Sequence, residues 1–264
     1  MKPISFDLSQ IRSLILDMDG VLWRDMQPIG DLPAIFNEIQ NLGLRVILAT
    51  NNATKSPQQF LEKLAGFGVN LEPRQIINSA MATAAYLKKK HPQGGNVFIV
   101  GNEGLRQILV EQGFRESDTN VIAVVAALDR ELTYEKLKTA TLLIRSGVPF
   151  IGTNPDRSFP VPEGQAPGAG AILAAIEAAS DVKPLVIGKP RPDMYNAAIE
   201  RLGTTPLETL VVGDRLETDI AGAQNGGFPN ALVLSGVTTL DQSQLWKPAP
   251  DIITNDLESL IKLF

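Results

Sequence analysis

Short apolar runs that alternate with helical patterns constrain the fold of this chain more than any other feature. The runs are rich in β-branched residues and are apolar on both faces. Strands of this kind, joined by helices, are typical of a parallel sheet that is covered by helices. We therefore predict an α/β fold. The predicted strands are Leu14–Leu16, Arg45–Thr50, Val97–Val100, Val121–Leu128, Pro149–Gly152, Leu185–Ile187, Leu210–Val212, Ala231–Leu234 and Asp251–Ile253.

Helices are predicted between these strands from apolar periodicity, N-cap residues and C-terminal glycines. They are Asp31–Leu42, Pro57–Phe67, Ser79–Lys90, Gly104–Gln112, Tyr134–Ser146, Gly168–Ala179, Pro192–Leu202 and Asp219–Asn225. The segment 78–184 has strands and helices of its own but carries only one distinctive loop. We predict a core domain of residues 1–77 and 185–264, interrupted by an inserted α/β domain of residues 78–184.

Composition excludes several classes of protein. Hydrophobic residues make up 44% of the chain and charged residues 20%, which fits neither a disordered nor a membrane protein. The absence of cysteine excludes disulfides, thiol nucleophiles and thiolate metal sites. A net charge of -5 disfavours nonspecific binding to nucleic acid. We expect a cytoplasmic protein, because Asp7, Gln10 and Arg12 interrupt the apolar segment that a secretory signal near the N-terminus would need. We expect no membrane anchor, because no apolar run approaches the roughly twenty residues of a membrane span.

Two carboxylates and a glycine follow the first predicted strand, as Asp17-Met18-Asp19-Gly20. The carboxyl ends of strands are where α/β sheets place their sites. The two-residue spacing keeps Asp17 and Asp19 on one side of the chain, close enough to share a hard cation such as Mg²⁺. The alternative is an ordinary Asp-Gly turn at the end of a strand.

Small polar residues follow the second predicted strand, as Thr50-Asn51-Asn52. A hydroxyl and backbone N–H groups at this point could hold phosphate oxygens. The alternative is a loop that only caps the helix beginning near Pro57.

Two later strands also end in charged residues. Lys189 follows the strand that ends at Ile187, and its ammonium would neutralise both a phosphate and a carboxylate nucleophile. Asp214 and Asp219 follow the next strand; Asp214 could complete a metal site, and Asp219 could orient Lys189 or a metal-bound water. The alternatives are a solvated surface lysine and a capped helix start.

Together these strand ends supply the groups that phosphoryl transfer requires: a nucleophile, an acid, a phosphate cradle, a countercharge and a third metal ligand. Their order resembles the haloacid dehalogenase superfamily, whose signature is DxD, then Ser/Thr, then Lys, then GDxxxxD. The similarity spans residues 14–219 and is strongest to the branch of NagD and the p-nitrophenyl phosphatases, which has a subclass IIA cap. The segments written as in that branch are Asp17–Trp23, Thr50–Asn52, Thr153–Asp156, Gly188–Pro190 and Gly213–Arg215.

The resemblance implies a magnesium-dependent phosphatase with a Rossmann-like three-layer core and an α/β cap that closes over the site. Asp17 would attack phosphorus and carry the phosphoryl group. Asp19 would protonate the leaving alkoxide and then activate water. Asp17, the backbone carbonyl of Asp19, and Asp214 would bind Mg²⁺.

The remaining roles follow from the same resemblance. Thr50, Asn51, Asn52 and Lys189 would bind the phosphate, and Asp219 would support the site. The expected partner is a small phosphorylated metabolite, with homodimerisation through the cap as a further expectation. The candidate substrates are p-nitrophenyl phosphate as an artificial one, and phosphoglycolate, a nucleoside monophosphate or a sugar phosphate as natural ones.

Three residues of the cap loop, Asn154, Asp156 and Phe159, are candidates for substrate specificity. Phe159 stands where some relatives with aromatic-phosphate substrates carry histidine, and this departure argues against a vitamin phosphate. A buried structural loop is the alternative for this stretch.

Two other functions are weighed against hydrolysis. A phosphotransferase or phosphomutase would use the same core residues and exclude water. A receiver-type signalling module also uses acids, threonine and lysine around a phospho-aspartate. Such modules place the accepting aspartate on a later strand than the paired acids, whereas here both acids precede Thr50.

Overall fold

The computed structural model describes residues 7–53, 55–161 and 164–264. The strands are β1 Ser13–Leu16, β2 Trp23–Arg24, β3 Gln27–Pro28, β4 Arg45–Thr50, β5 Ile76–Asn78, β6 Gly95–Val100, β7 Phe114–Glu116, β8 Val121–Ala126, β9 Phe150–Gly152, β10 Ser158–Val161, β11 Gly164–Pro167, β12 Leu185–Val186, β13 Thr209–Gly213, β14 Asn230–Val233 and β15 Ile252–Thr254. The α-helices are α1 Leu32–Asn41, α2 Pro57–Gly66, α3 Ser79–Lys90, α4 Glu103–Glu111, α5 Tyr134–Arg145, α6 Ala169–Ser180, α7 Asp193–Leu202, α8 Ala221–Gly226, α9 Leu240–Leu245 and α10 Leu257–Ile261.

The larger sheet has the strand order β15-β14-β13-β1-β4-β5. Its central strand β1 is buried along its whole length and pairs in parallel with β13 on one side and β4 on the other. Parallel neighbours bring their carboxyl ends to the same edge of a sheet. The segments that follow β1, β4 and β13 therefore emerge side by side, which is the arrangement that the predicted site needs.

Amphipathic helices cover this sheet. In α1, the Asp31 side chain accepts a hydrogen bond from the backbone N–H of Ala34 and so caps the first turn. Ile35 and Ile39, four residues apart on one face, join the same buried cluster as Leu16 of β1. Burial of this face anchors the helix and leaves its polar face in water.

A smaller parallel sheet has the order β12-β9-β8-β6-β7. Its core joins Val124 of β8 and Phe150 of β9 to Ile144 of α5 and Ile176 of α6. This second core has its own helices and is built in the same way as the first.

The chain divides into two compact units. The first contains the described residues up to Thr50, together with Pro57–Ile77 and Lys189–Phe264. The second contains the described residues of Asn51–Ser56 and Asn78–Gly188. The sequence prediction ends the inserted domain at residue 184, whereas the pairing of β12 with β9 carries the second unit to Gly188.

The α/β architecture expected from the sequence is confirmed, and every predicted strand occurs with its ends displaced by two residues or fewer. The sequence did not show β2, β3, β5, β7 or the β10–β11 hairpin, because runs of two to four residues are too short for a recognisable alternation. It also missed α9 and α10. No helix within the described part of the chain is long and apolar enough to cross a membrane.

Candidate active site

Asp17 lies at the carboxyl end of the central strand. Its backbone N–H donates to the carbonyl of Val212 at 2.8 Å, which continues the β1–β13 ladder by one residue. Its side chain is buried, with only 8% of the residue exposed. The sheet therefore fixes the backbone of Asp17, and its buried carboxylate lies at the sheet edge.

The chain turns sharply after Asp17. The N–H of Leu22 donates to the carbonyl of Met18 at 2.8 Å, and Gly20 adopts a φ of +86°. A Cβ at Gly20 would lie 2.4 Å from Oδ2 of Asp214, so only glycine fits. The turn leaves the Asp19 side chain exposed.

Lys189 is the positive centre of the site. Its ammonium donates to Oδ1 of Asp17 and to Oδ1 of Asp219, each at 2.6 Å, and to the backbone carbonyl of Ala49 at 3.0 Å. Burial opposes the lysine charge, but Asp17 and Asp219 outweigh it and hold the pKa of Lys189 well above its usual range. The ammonium thus joins the ends of three chain segments.

Asp214 and Asp219 are held by backbone donors after β13. Oδ2 of Asp214 accepts from the N–H of Val237 at 2.7 Å, and Oδ2 of Asp219 accepts from the N–H of Arg215 at 3.1 Å. The turn Leu216–Ile220, which is a π-helix, carries Asp219 back toward the strand end. A Cβ at Gly213 would lie 2.2 Å from Cβ of Asp219, so the strand must end in glycine.

The carboxylates of Asp17, Asp214 and Asp219 form one cluster, and their ligand atoms lie within 4.8 Å of one another. Oδ1 of Asp214 is buried and has no hydrogen-bond partner among the described residues. Three acids against one ammonium leave an excess of negative charge in a buried site. A hard divalent cation with oxygen ligands fits both features, and Mg²⁺ is such a cation.

The same burial sets the protonation of the acids. Burial raises the pKa of Asp17 well above its usual range, and the charges of Asp219 and Asp214 raise it further. The Lys189 ammonium lowers this pKa but does not offset the other effects. Burial, and then the Asp219 charge, raises the pKa of Asp214 to about 7. A cation in the cluster would favour the ionised carboxylates that a nucleophile and a metal ligand must be.

The residues that the sequence predicts to bind phosphate do not all belong to the same unit. Thr50, the last residue of β4, is buried in the first unit. Asn51 begins the second unit, where its backbone carbonyl accepts from Oγ of Ser79 at 2.7 Å and from Nδ2 of Asn154 at 2.8 Å. Asn52 is half-buried beside it. The backbone after β4 is thus fixed within the second unit.

The cap-loop candidates do not share one environment. Asn154 is buried, and its side-chain Nδ2 donates to the backbone carbonyl of Asn51. Asp156 lies 3.5 Å from Nδ2 of Asn51. Phe159 is half-buried, and the guanidinium of Arg130 lies 5.7 Å from its ring centre. The three residues therefore differ in burial and in the contacts that they make within the second unit.

Two contacts of the site were missed by sequence reasoning. The indole Nε1 of Trp23 donates to Oδ1 of Asp19 at 2.7 Å, although Trp23 was noted only as part of a motif. Val237 holds Asp214 through its backbone, and a Cβ at the adjacent Gly236 would lie 1.9 Å from Oδ2 of Asp214. The four-residue spacing of Asp19 and Trp23 could have indicated the first contact. No feature of the sequence indicates the contact between Val237 and Asp214.

Comparisons with known proteins show the family of this chain. Residues 14–115 match the family described as haloacid dehalogenase-like hydrolase, and residues 186–260 match a related hydrolase-like family. The acid sugar phosphatase of Staphylococcus aureus is 36% identical over 255 residues, which cover 96% of this chain and 98% of that protein.

Solved structures of phosphatases are similar to this chain in both sequence and fold. The 4-nitrophenylphosphatase of Thermotoga maritima is 33% identical with a TM-score of 0.92, over 97% of this chain and 98% of that one. NagD from Escherichia coli is 32% identical with a TM-score of 0.87, over 94% and 97%. The glycerol phosphate phosphatase of Mycobacterium tuberculosis, solved in complex with magnesium, is 32% identical with a TM-score of 0.88, over 96% and 77%.

The raised pKa of Asp214 predicts how the metal-free protein responds to pH. Between the usual value of 3.8 and about 7, the unfolded chain loses this proton while the folded site retains it, so stability falls as pH rises, and the whole penalty is present above about 7. Asp214→Asn removes the penalty. We expect the variant to be more stable than the parent by roughly 1–3 kcal/mol at pH 8 in EDTA, with a smaller gain at pH 5.

Urea unfolding at the two pH values, with and without Mg²⁺, measures this effect. The parent should be stabilised by Mg²⁺ at pH 8, and Asp214→Asn should lose most of that response. Asp241→Asn, at an exposed position, is the matched control and should behave as the parent. An Asp214→Asn protein that is destabilised in EDTA at pH 8, or that keeps the full Mg²⁺ response, would contradict the account.

Proposed function

The chain belongs to the haloacid dehalogenase-like hydrolases, in the branch of NagD and the p-nitrophenyl phosphatases, and we propose that Asp17 is the nucleophile of its phosphatase reaction. As a member of this branch it is a phosphoric monoester hydrolase. The observation that carries the proposal is the buried Lys189 ammonium, which binds Asp17 at the end of the central strand β1 and Asp219 after β13. A carboxylate placed in this way has its position fixed and a countercharge beside it.

In the first half of the reaction a carboxylate oxygen of Asp17 attacks phosphorus. The bond from phosphorus to the leaving oxygen breaks, and this oxygen takes a proton from Asp19. Lys189 lies 2.6 Å from Asp17 and offsets the repulsion between a phosphate and a carboxylate nucleophile. The products are an alcohol and a phospho-aspartate at Asp17.

In the second half water attacks the phospho-aspartate. Asp19, now ionised, takes the proton from that water, and Asp17 leaves as a carboxylate. Thr50, with the chain that continues through Asn51 and Asn52, binds the phosphate oxygens. Inorganic phosphate is released and both acids return to their starting protonation states.

Mg²⁺ is the cofactor that this site fits. Asp17, Asp214 and the backbone carbonyl of Asp19 would hold it, and Oδ1 of Asp214 would gain the partner that the described residues do not provide. When bound, the ion neutralises charge on the phosphate and orients it toward the nucleophile. Asp219 supports the site by orienting Lys189.

The similarity to phosphatases over nearly the whole chain favours hydrolysis over phosphoryl transfer to a second substrate. It also removes the reason to consider a receiver module. The expected homodimer through the cap stays a prediction from the sequence.

The substrate class is narrowed by the relatives and by the cap loop. An acid sugar phosphatase and a glycerol phosphate phosphatase are among the similar proteins. Asn154 and Asp156 contact Asn51 and so help to position the phosphate loop, which leaves Phe159 as the specificity candidate. We infer that a sugar or polyol phosphate is the natural substrate, ahead of phosphoglycolate and nucleoside monophosphates.

Replacement of the nucleophile tests the proposal. Asp17→Asn should lower kcat for p-nitrophenyl phosphate by about a thousandfold or more, because an amide cannot form the phospho-enzyme. EDTA should abolish the activity of the parent and Mg²⁺ should restore it. Phosphate release, followed spectrophotometrically, measures both effects.

Asp181→Asn is the matched control. Asp181 is an exposed residue of the second unit with a φ of +62°, a conformation that asparagine also tolerates. This variant should keep the parent's activity. Full activity in Asp17→Asn, or activity that survives EDTA unchanged, would refute the nucleophile or the metal assignment respectively.

A panel of phosphorylated metabolites tests the substrate class. We expect kcat/KM for sugar or polyol phosphates to exceed that for AMP and for phosphoglycolate by about tenfold or more, which corresponds to one well-placed contact. A preference for AMP or phosphoglycolate would reject the sugar and polyol assignment and leave the phosphatase assignment intact.

A further inference from the structure

The carboxylate of Asp19 is held by one side chain, the indole of Trp23. Nε1 of Trp23 donates to Oδ1 of Asp19 at 2.7 Å. Asp19 is exposed, whereas Trp23 has only 1% of its surface exposed. An exposed carboxylate normally samples several rotamers. Here a buried donor restricts it, and the only side-chain hydrogen bond recorded for Asp19 in the described part of the chain comes from Trp23.

The backbone brings the two side chains together. Gly20 donates its N–H to the carbonyl of Trp23 at 2.7 Å, and an isolated β-bridge joins Asp19 to Trp23. The tight turn after Asp17 therefore ends with the indole facing the acid. The same turn positions Asp19 and its donor, so the geometry is built locally.

The indole is fixed from its other side by α2 and the residue that follows it. The ring of Phe67 lies 6.0 Å from the Trp23 ring, at an angle of 43°. The ammonium of Lys63 lies 4.0 Å from the centre of the Trp23 ring and donates to the carbonyl of Asp25 at 2.6 Å. A cation over the ring face is attracted to the indole and strengthens its N–H as a donor. Trp23 is thus a fixed and polarised donor.

An indole nitrogen only donates, so Oδ1 of Asp19 must act as an acceptor in this contact. The carbonyl oxygen of a protonated carboxyl group is the stronger acceptor, so this contact favours the acid form whose proton lies on Oδ2. We propose that Trp23 is a positioning residue that presents Oδ2 of Asp19 to the leaving group and later to water. This inference rests on the proposed function, in which Asp19 is the proton donor and acceptor.

The reaction step can then be written atom by atom. As an oxygen of Asp17 bonds to phosphorus, the leaving oxygen keeps the electron pair of the broken bond and takes the proton from Oδ2 of Asp19. In the second step Oδ2 takes one proton from water as the water oxygen bonds to phosphorus. Oδ1 keeps its hydrogen bond from Trp23 throughout. The indole gives up no proton and acts only through Asp19.

The acidity of the leaving group distinguishes a positioning role of Trp23 from a role in packing alone. p-Nitrophenol is far more acidic than an alkyl alcohol, so p-nitrophenolate leaves without help, whereas an alkoxide needs the proton of a general acid. Loss of the Asp19 orientation should therefore lower kcat/KM, which reports the first half of the reaction, much more for glycerol phosphate than for p-nitrophenyl phosphate. The second half, in which Asp19 activates water, is common to both substrates and affects kcat for both. Disturbed packing of the turn would harm both substrates by the same factor.

Trp23→Phe keeps an aromatic ring and removes the N–H. We expect kcat/KM for glycerol phosphate to fall by roughly 10–100-fold, and kcat/KM for p-nitrophenyl phosphate to fall by no more than about threefold. Trp246→Phe is the matched control, since Nε1 of Trp246 donates to Oε1 of Gln224 at 3.2 Å, outside the site. It should leave the ratio of the two activities unchanged. Equal losses for both substrates in Trp23→Phe would overturn the inference.

A double-mutant cycle tests whether Trp23 acts through Asp19. In an Asp19→Asn background, Trp23→Phe should cause no further loss with glycerol phosphate, because the group it positions is already absent. A further loss equal to that in the parent would overturn the inference. If Asp19→Asn alone leaves turnover of glycerol phosphate unchanged, the proposed role of Asp19 fails first, and the two failures are thereby distinguished.

Two measurements keep the inference testable if Trp23→Phe does not fold. Lys63→Met removes the cation over the ring and keeps an unbranched side chain that is one atom shorter. It should lower kcat/KM for glycerol phosphate relative to kcat/KM for p-nitrophenyl phosphate, by a smaller factor than Trp23→Phe. The chain has two tryptophans, and Trp246→Phe assigns their indole N–H signals in an NMR spectrum. Asp19→Ala removes the acceptor oxygen and should shift the Trp23 signal alone. An unmoved signal would show that the hydrogen bond is absent.

Discussion

The buried ammonium of Lys189 is the contact on which the arrangement of the site depends. It joins Asp17 after β1, the carbonyl of Ala49 in β4 and Asp219 after β13, each within 3.0 Å. Removing such groups from water costs several kcal/mol for each ion, and the cost is recovered only with close geometry and full hydrogen bonding. Lys189 uses its three donors in this way. The parallel sheet is what brings the three acceptors within reach of one side chain.

Glycines at two strand ends allow the acids of the site to lie close together. Gly213 and Gly20 lie where a Cβ would strike Asp219 and Asp214, so two strand ends approach as closely as glycine allows. Asp214 then retains a buried oxygen without a partner among the described residues, which is costly in the metal-free fold and favourable for a cation. In the proposed metal site, binding of Mg²⁺ would recover the stability that the metal-free fold loses at Asp214. The exposed Asp19 differs from these buried acids, because its orientation comes from the indole of Trp23.

Much of this could be predicted from the sequence, for reasons that particular residues show. The strand before Asp17 is a continuous apolar run, so the sequence predicts both the strand and the position of the first polar site residue after it. The order of Asp17, Thr50, Lys189 and Asp214 along the chain indicated one sheet edge. The hydrogen bond from Val237 to Asp214 was not predictable, because its donor is a backbone N–H that almost any residue type would supply. β2 and β3, with two residues each, carry no periodicity. Asn51 was read as a phosphate ligand, but its contacts with Ser79 and Asn154 depend on tertiary structure.

The central claim is that the phosphoryl group passes through Asp17. The most direct test mixes the enzyme with substrate, quenches it within one turnover, reduces it with borohydride and maps the product by peptide mass spectrometry. Reduction of an acyl phosphate converts that aspartate to homoserine. The account predicts homoserine at position 17, formed only when substrate is present. Homoserine at another aspartate, or none while a rapid burst of alcohol release shows that an intermediate accumulates, would contradict it.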